Sequence, residues 1–228
     1  MLFGFPIFAY IRAMPEPEIT GASVVLIGSF NPTIFQPQWF ASQNLLPKSE
    51  AESASIKAIV PAVCEFETER FQIQVVQERF MAVSKVGANP EPLRDLVVGT
   101  FFILEHTPVT AMGINQHLHF QMKTDSDWHR VGDRLAPKDG WNGILHGRPG
   151  MLSLTIVTEA ADSQPKTTVR VEPSVKLKLG IYFDINEHYT SEKDDNLKGL
   201  MTLLQERWKE AGLHAKNIAN HIIEWAGK

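Results

Sequence analysis

The chain has 228 residues but only one cysteine, Cys64. A single thiol excludes any intrachain disulfide, and a reducing compartment is the easier setting. Long apolar runs are also missing. MLFGFPIFAYI at the start is too short to span a bilayer as a helix, and Pro6 interrupts it. It lacks a basic flank and a small-residue cleavage site, so a signal peptide is not expected. Basic residues are no more abundant than acidic ones: Lys and Arg number 22 against 26 Asp and Glu, a net charge of −4. That balance disfavours non-specific nucleic-acid binding. Missing too are a phosphate-binding loop, a nucleophile elbow and zinc-ligand spacing.

What is present fits an ordinary soluble globular chain, with 43% hydrophobic and 21% charged residues. Folding at this size buries roughly 70–75% of the unfolded surface, enough for a core without staples. Residues 1–21 form an arm, set off by Pro15, Pro17 and Gly21. Ala22–Phe30 is a near-continuous apolar run, suited to a buried strand. Gln36–Leu46 reads as a helix with Pro37 early, and Lys48–Ser55 as a polar loop. Val63–Thr68, Phe71–Val76 and Phe80–Lys85 alternate as strands. Cys64 reads as a small buried hydrophobe. Glu91–Glu105 is a helix whose apolar stripe runs through Leu93, Leu96, Val97, Phe101 and Leu104. Gly99 within it suggests a close backbone contact.

After Pro108 the pattern restarts. Val109–Met122 is a long strand with a bulge placed at Gly113. Asp125 caps a helix to Leu135. A loop-rich stretch with Gly140, Gly143, Gly147 and Gly150 follows. Strands are expected at Met151–Glu159, Thr167–Glu172 and Gly180–Asn186, with a turn at Ala161–Lys166. Glu192, Asp194 and Asp195 then favour the start of a long helix, with apolar residues recurring from Leu197 to Trp225.

Both halves read strand, helix, three strands, helix. Gly28 and Asn31 precede Trp39 as Gly113 and Asn115 precede Trp128. Glu91-x-Leu93-Arg94-x-Leu96 recurs as Asp195-x-Leu197-Lys198-x-Leu200. The expectation is an α+β fold of two duplicated halves, 22–106 and 107–228, in one compact unit. Their mainly antiparallel sheets would join edge to edge under a helical layer.

Arg79–Gly87 (RFMAVSKVG) and Glu91–Asn115 (EPLRDLVVGTFFILEHTPVTAMGIN) carry a resemblance. They resemble the central part of a sparsely distributed bacterial protein family with no established activity. The match spans about one-sixth of the chain. It implies a strand, a helix and a strand, and brings no catalytic residue.

For chemistry, His117 and His119 share one strand face, and Ile114-Asn115-Gln116-His117 resembles Ile185-Asn186-Glu187-His188. Asn115, His117, His119, Asn186 and His188 are the candidate ligand-binding set. Zinc needs three or four convergent ligands at clearer spacing, so local hydrogen bonding is preferred and no metal or cofactor is expected. Ser153 and Ser174 lack a nucleophile setting. Trp208, Ile218, Ile222 and Trp225 are the candidate interface residues. The early part of the helix, Leu197–Trp208, is expected to cover the sheet of the second half, and the late part, beyond Gly212, to reach the other half, a second copy or another protein.

The leading expectation is a non-enzymatic interaction or scaffold subunit of a bacterial multi-protein system, in the cytoplasm and off the membrane. Its partner would be another protein or a second copy, met through the terminal helix or the arm. The alternative is a small-molecule-binding protein or enzyme with a site between the halves. Nucleic-acid recognition by the sheet face is the third.

Overall fold

The computed structural model describes residues 15–85, 90–141, 143–159, 165–190 and 196–227. The described residues form one nine-stranded antiparallel sheet, in the order β2-β3-β4-β5-β1-β6-β9-β8-β7. The first five strands are β1 (Ile19–Gly28), β2 (Ser55–Val60), β3 (Val63–Glu67), β4 (Phe71–Val76) and β5 (Arg79–Ser84). The rest are β6 (Val109–Gln121), β7 (Leu154–Val157), β8 (Lys166–Pro173) and β9 (Gly180–Thr190). The helices are α1 (Pro37–Ser42), α2 (Lys48–Glu52), α3 (Glu91–Ile103), α4 (Asp125–Leu135) and α5 (Asn196–Ala226).

Strands β1 and β6 lie at the centre and pair from Ile19↔His119 to Gly28↔Val109. The first strand of each part of the chain thus meets the other, and each is flanked outward by the last strand of its own part, β5 or β9. Alternation then divides the side chains. Ala22, Val24 and Leu26 of β1 point to the helices, as do Met112, Ile114, Leu118 and Phe120 of β6. Gly21 and Ser23, with Asn115, His117 and His119, point to the opposite face.

Two cores lie under the helical layer. The larger joins β1, β3, β4 and β5 to α1, α3 and the early part of α5, and is rich in phenylalanine. Phe35, Phe80 and Phe101 meet at centroid distances of 5.0–6.2 Å, with Phe80 and Phe101 at 87°. Edge-to-face contacts of this kind add about 0.5–1.5 kcal/mol each beyond burial. Cys64 sits in this core as expected. Its Sγ donates to the Phe35 carbonyl at 3.0 Å, and burial pushes its pKa up to about 11. The smaller core joins the far ends of β6 and β9 to β8, α4 and the late part of α5.

Helix α5, about 46 Å long at 1.5 Å per residue, crosses both cores without a break. Its early residues Leu197, Leu200, Leu204 and Trp208 pack in the larger core, and Ala215, Ala219 and Ala226 in the smaller. This reverses the expectation that the early part covers the second half. Gly212 faces open space and divides nothing.

The structure corrects four further expectations, the first at α4, where Thr124 and not Asp125 is the N-cap, its hydroxyl accepting from the Asp127 N–H. The segment expected as a loop, Lys48–Ser55, contains α2 and the start of β2. Pro47 at the N-cap starts α2, and its Glu50 is buried against Arg70 at 2.7 Å. Strand β2 escapes the alternation test because five of its six residues are exposed. The bulge expected at Gly113 is absent; the irregularity lies at Ile27/Gly28. There a Cβ on Gly28 would sit 2.1 Å from the Pro108 carbonyl oxygen, which closes that position to any side chain. Gly99 faces the Leu45 side chain, 2.7 Å from where a Cβ would stand, and not a backbone. Glu192, Asp194 and Asp195, and residues 1–14 of the arm, lie outside the described residues.

Candidate functional site

The sheet register assembles a polar seam on the face away from the helices. Ser23, Asn115, Asn186 and Thr168 form one row across β1, β6, β9 and β8. Gly21, His117, Asp184 and Arg170 form the next, and Ile19, His119, Tyr182 and Glu172 the one after. Asn186 Nδ2 donates to Asn115 Oδ1 at 2.6 Å, and Asn115 Nδ2 to the Ser23 carbonyl at 3.3 Å. Gly113 leaves room for this bridge, since a Cβ there would lie 2.7 Å from Asn186 Nδ2.

His117 is the hub. Its Nε2 lies 3.1 Å from Ser23 Oγ, and its Nδ1 lies 2.8 Å from the Tyr182 hydroxyl and 3.4 Å from Asp184 Oδ1. Arg170 Nη2 donates to Asp184 Oδ2 at 2.7 Å. Burial raises the Asp184 carboxyl, but hydrogen bonding and charge from His117, then from Arg170, outweigh it and hold the group below its usual range. Burial, aided by the Asp184 charge, pushes Tyr182 up to about 12, so its phenol keeps its proton.

His119 is fixed differently. Ser174 Oγ accepts the backbone N–H groups of Lys176 and Leu177, both at 3.1 Å. Its one hydrogen is therefore left for His119 Nδ1, 2.8 Å away. That makes Nδ1 an acceptor and places the ring proton on Nε2. Burial first, then the Lys176 and His117 charges, lower the His119 pKa to about 4. The ring also stacks on Tyr182 at 4.6 Å.

His117, His119 and Tyr182 wall a cleft of about 350 Å³ at the join of β1 and β6. Ile19, Val83 and Val175 supply apolar wall; His117, His119 and Tyr182 supply polar wall; Glu172 and Lys176 are charged. Glu172 is already engaged by Ser153 at 3.1 Å and by Arg170 at 3.6 Å.

Of the expected binding residues, His117 and His119 line the cleft, and Asn115 and Asn186 bridge each other in the polar seam beside it. His188 shares the face but lies beside Gly113, six residues along β9 from Tyr182, or about 20 Å at 3.4 Å per residue. It does not join the cleft. Among the described residues no three His, Cys, Asp or Glu side chains group as a metal site requires. Ser23, Arg170, Tyr182 and Asp184 were missed as members. Ser23 had a signal: it is the one hydroxyl inside the apolar run Ala22–Ile27. The partners from β8 and β9 depend on register, which the sequence does not display.

Ser23, His117 and Asp184 have the order of a nucleophile, a base and an acid. The setting does not serve acyl transfer. Ser23 is 5% exposed, and its backbone lies between β5 and β6, paired with Val83 and Asn115. An oxyanion needs preorganised donors where its charge develops, and sheet amides already committed to ladders cannot provide them.

The expected interface residues fare unevenly. Trp208 is 3% exposed and belongs to the larger core, so it is not available to a partner. Ile218 and Ile222 pack partly buried on the smaller core. Trp225 is 43% exposed, with the Arg134 guanidinium 5.0 Å from its ring centre. No helix among the described residues is long and apolar enough to cross a membrane. No protein-family model matches the chain, and no curated protein matches it.

The depressed His119 pKa makes stability acid-sensitive. The unfolded imidazole, near its usual 6.5, binds protons that the folded one refuses until about pH 4. Stability contributed here is complete above about pH 7 and falls as pH drops from 6.5 toward 4. Urea midpoints of the wild type and His119→Phe across this range should converge toward acid. Parallel curves would show that His119 titrates normally.

Proposed function

We propose that the chain is a non-enzymatic binding protein whose recognition site is the cleft at the join of β1 and β6. The observation that carries this reading is the convergence of fixed polar groups and apolar wall in one recess between the two halves. Sites of this kind bind small molecules by burying them against apolar surface while a few placed polar groups set orientation. The polar groups here are held by protein partners, which lowers the ordering cost of binding. Native mass spectrometry of protein taken from its own cells is the test. A small molecule is expected on the wild type and absent from Val83→Trp, which fills the cleft from β5. Equal loading of both chains, or a bare wild type, would overturn the reading.

The two halves arise from an internal duplication. The support is the matched placing of β1 with β6, and of β5 with β9, on either side of the centre. Trp39 is the third residue of α1 and Trp128 the fourth of α4, each in the first helix after its central strand or close to it. In the first half, α2 and β2 are extra. Homologous sequences decide it: correspondences of Trp39 with Trp128, and of Glu91 with Asp195, should hold across them, and scattered correspondences would sink the idea.

A second reading, the interaction or scaffold role in a cytoplasmic assembly, is favoured by the contrast between the sheet's two edges. Edge strand β2 carries Lys57 at a register shift between Ile56 and Ala58, features that discourage pairing. Edge strand β7 has no charge, and Ile156 and Val157 are 57% and 50% exposed. An extended segment of a partner protein adding to β7 would gain main-chain bonds and cover both side chains. Ile156→Lys should then weaken a copurifying partner about tenfold while leaving the melting curve unchanged. Undiminished partner recovery would remove β7 from the interaction.

A further inference from the structure

We infer that the cleft takes a small monocarboxylate carried on an apolar or aromatic body, with the carboxylate held between His119 Nε2–H and the Lys176 ammonium. The inference rests on the cleft being a binding site, as proposed above. The cleft offers a fixed neutral donor at one place. Ser174 spends its two acceptor positions on backbone N–H groups and its hydrogen on His119 Nδ1. His119 Nε2 must therefore carry the ring proton, and it has no hydrogen-bond partner among the described residues. Buried imidazole that stays neutral at ordinary pH keeps this donor constant.

A cation lines the same cleft. This is Lys176, which is near enough to depress the His119 pKa and makes no ion pair among the described residues. The other charged groups are engaged elsewhere: Arg170 bridges Asp184 and Glu172, and Ser153 donates to Glu172. An ammonium without an ion pair and an N–H donor without a partner among the described residues, lining one cleft, suit the two oxygens of a single carboxylate. A doubly charged phosphate would meet too few donors. Ile19 and Val83 offer the body of the ligand apolar contact. Tyr182, already stacked on His119, extends the planar wall.

Benzoate, benzamide and benzylamine, equal in shape and different in charge, separate the possibilities. Imidazole resonances of His119 and His117 report occupancy by NMR. Benzoate should move the His119 Nε2 signal and bind about tenfold or more tightly than benzamide, with benzylamine weaker still. Lys176→Gln, at an exposed rim position, should cost benzoate about tenfold and benzamide little. Benzylamine or benzamide binding best at His119 would overturn the carboxylate while leaving the cleft a site. Benzoate binding untouched by Lys176→Gln, or shifts confined to resonances elsewhere, would overturn the assigned contacts. Silence of both imidazoles to all three probes would overturn the inference and the cleft together.

Discussion

Everything in this molecule depends on the antiparallel pairing of β1 with β6. Those strands are separated by some 80 residues of chain, yet their ladder runs ten residue pairs, from Ile19↔His119 to Gly28↔Val109. Side chains alternate across it, so one register fixes both faces at once. A slip by one residue would carry Val24, Leu26, Ile114 and Leu118 away from the helices and turn His117 and His119 into the core. The apolar demand on one face therefore specifies the polar arrangement on the other. Gly28, pressed against the Pro108 carbonyl, marks where that pairing must stop.

The alternating segments were legible in the sequence because burial on one face leaves a period-two trace. β3, β4, β5 and β9 show it clearly, and α3 shows the corresponding helical stripe. β2 left little trace because it is an edge strand with most side chains in solvent, and β7, the other edge strand, is shorter than the Met151–Glu159 segment that marked it. The α+β class and the long last helix follow from local pattern. The path of α5 does not. Its apolar stripe shows that it is covered, but not which core covers which part. Trp208 looked like a contact for another chain for that reason, and it lies in the larger core.

The candidate site was half legible. Asn115, His117, His119 and Asn186 stood out as polar residues on strands. Their partners come from β1, β8 and β9, and only strand order brings Ser23, Arg170, Tyr182 and Asp184 within reach. His188, drawn in by a local sequence echo, lies three rows along β9 from Tyr182 and outside the cleft. Two histidines two residues apart also acquired different chemistry. His117 is tied to an acid, a phenol and a serine; His119 is tied to a hydroxyl already committed to backbone groups. Alternation alone gives them one face, whereas neighbours give each its proton.

Helix α5 has a consequence for how the chain is made. It follows every strand among the described residues, and it lies over both cores. During vectorial synthesis the sheet can form its ladders while the surface that α5 will cover is still bare. Leu118, Phe183 and Ile185 on one side, and Met112 and Ile114 on the other, then face water until the helix arrives. A nascent sheet with such a surface and two open edges invites chaperone binding or pairing with a neighbouring chain on the same polysome. The helix is in this sense the element that ends the chain's dependence on outside protection.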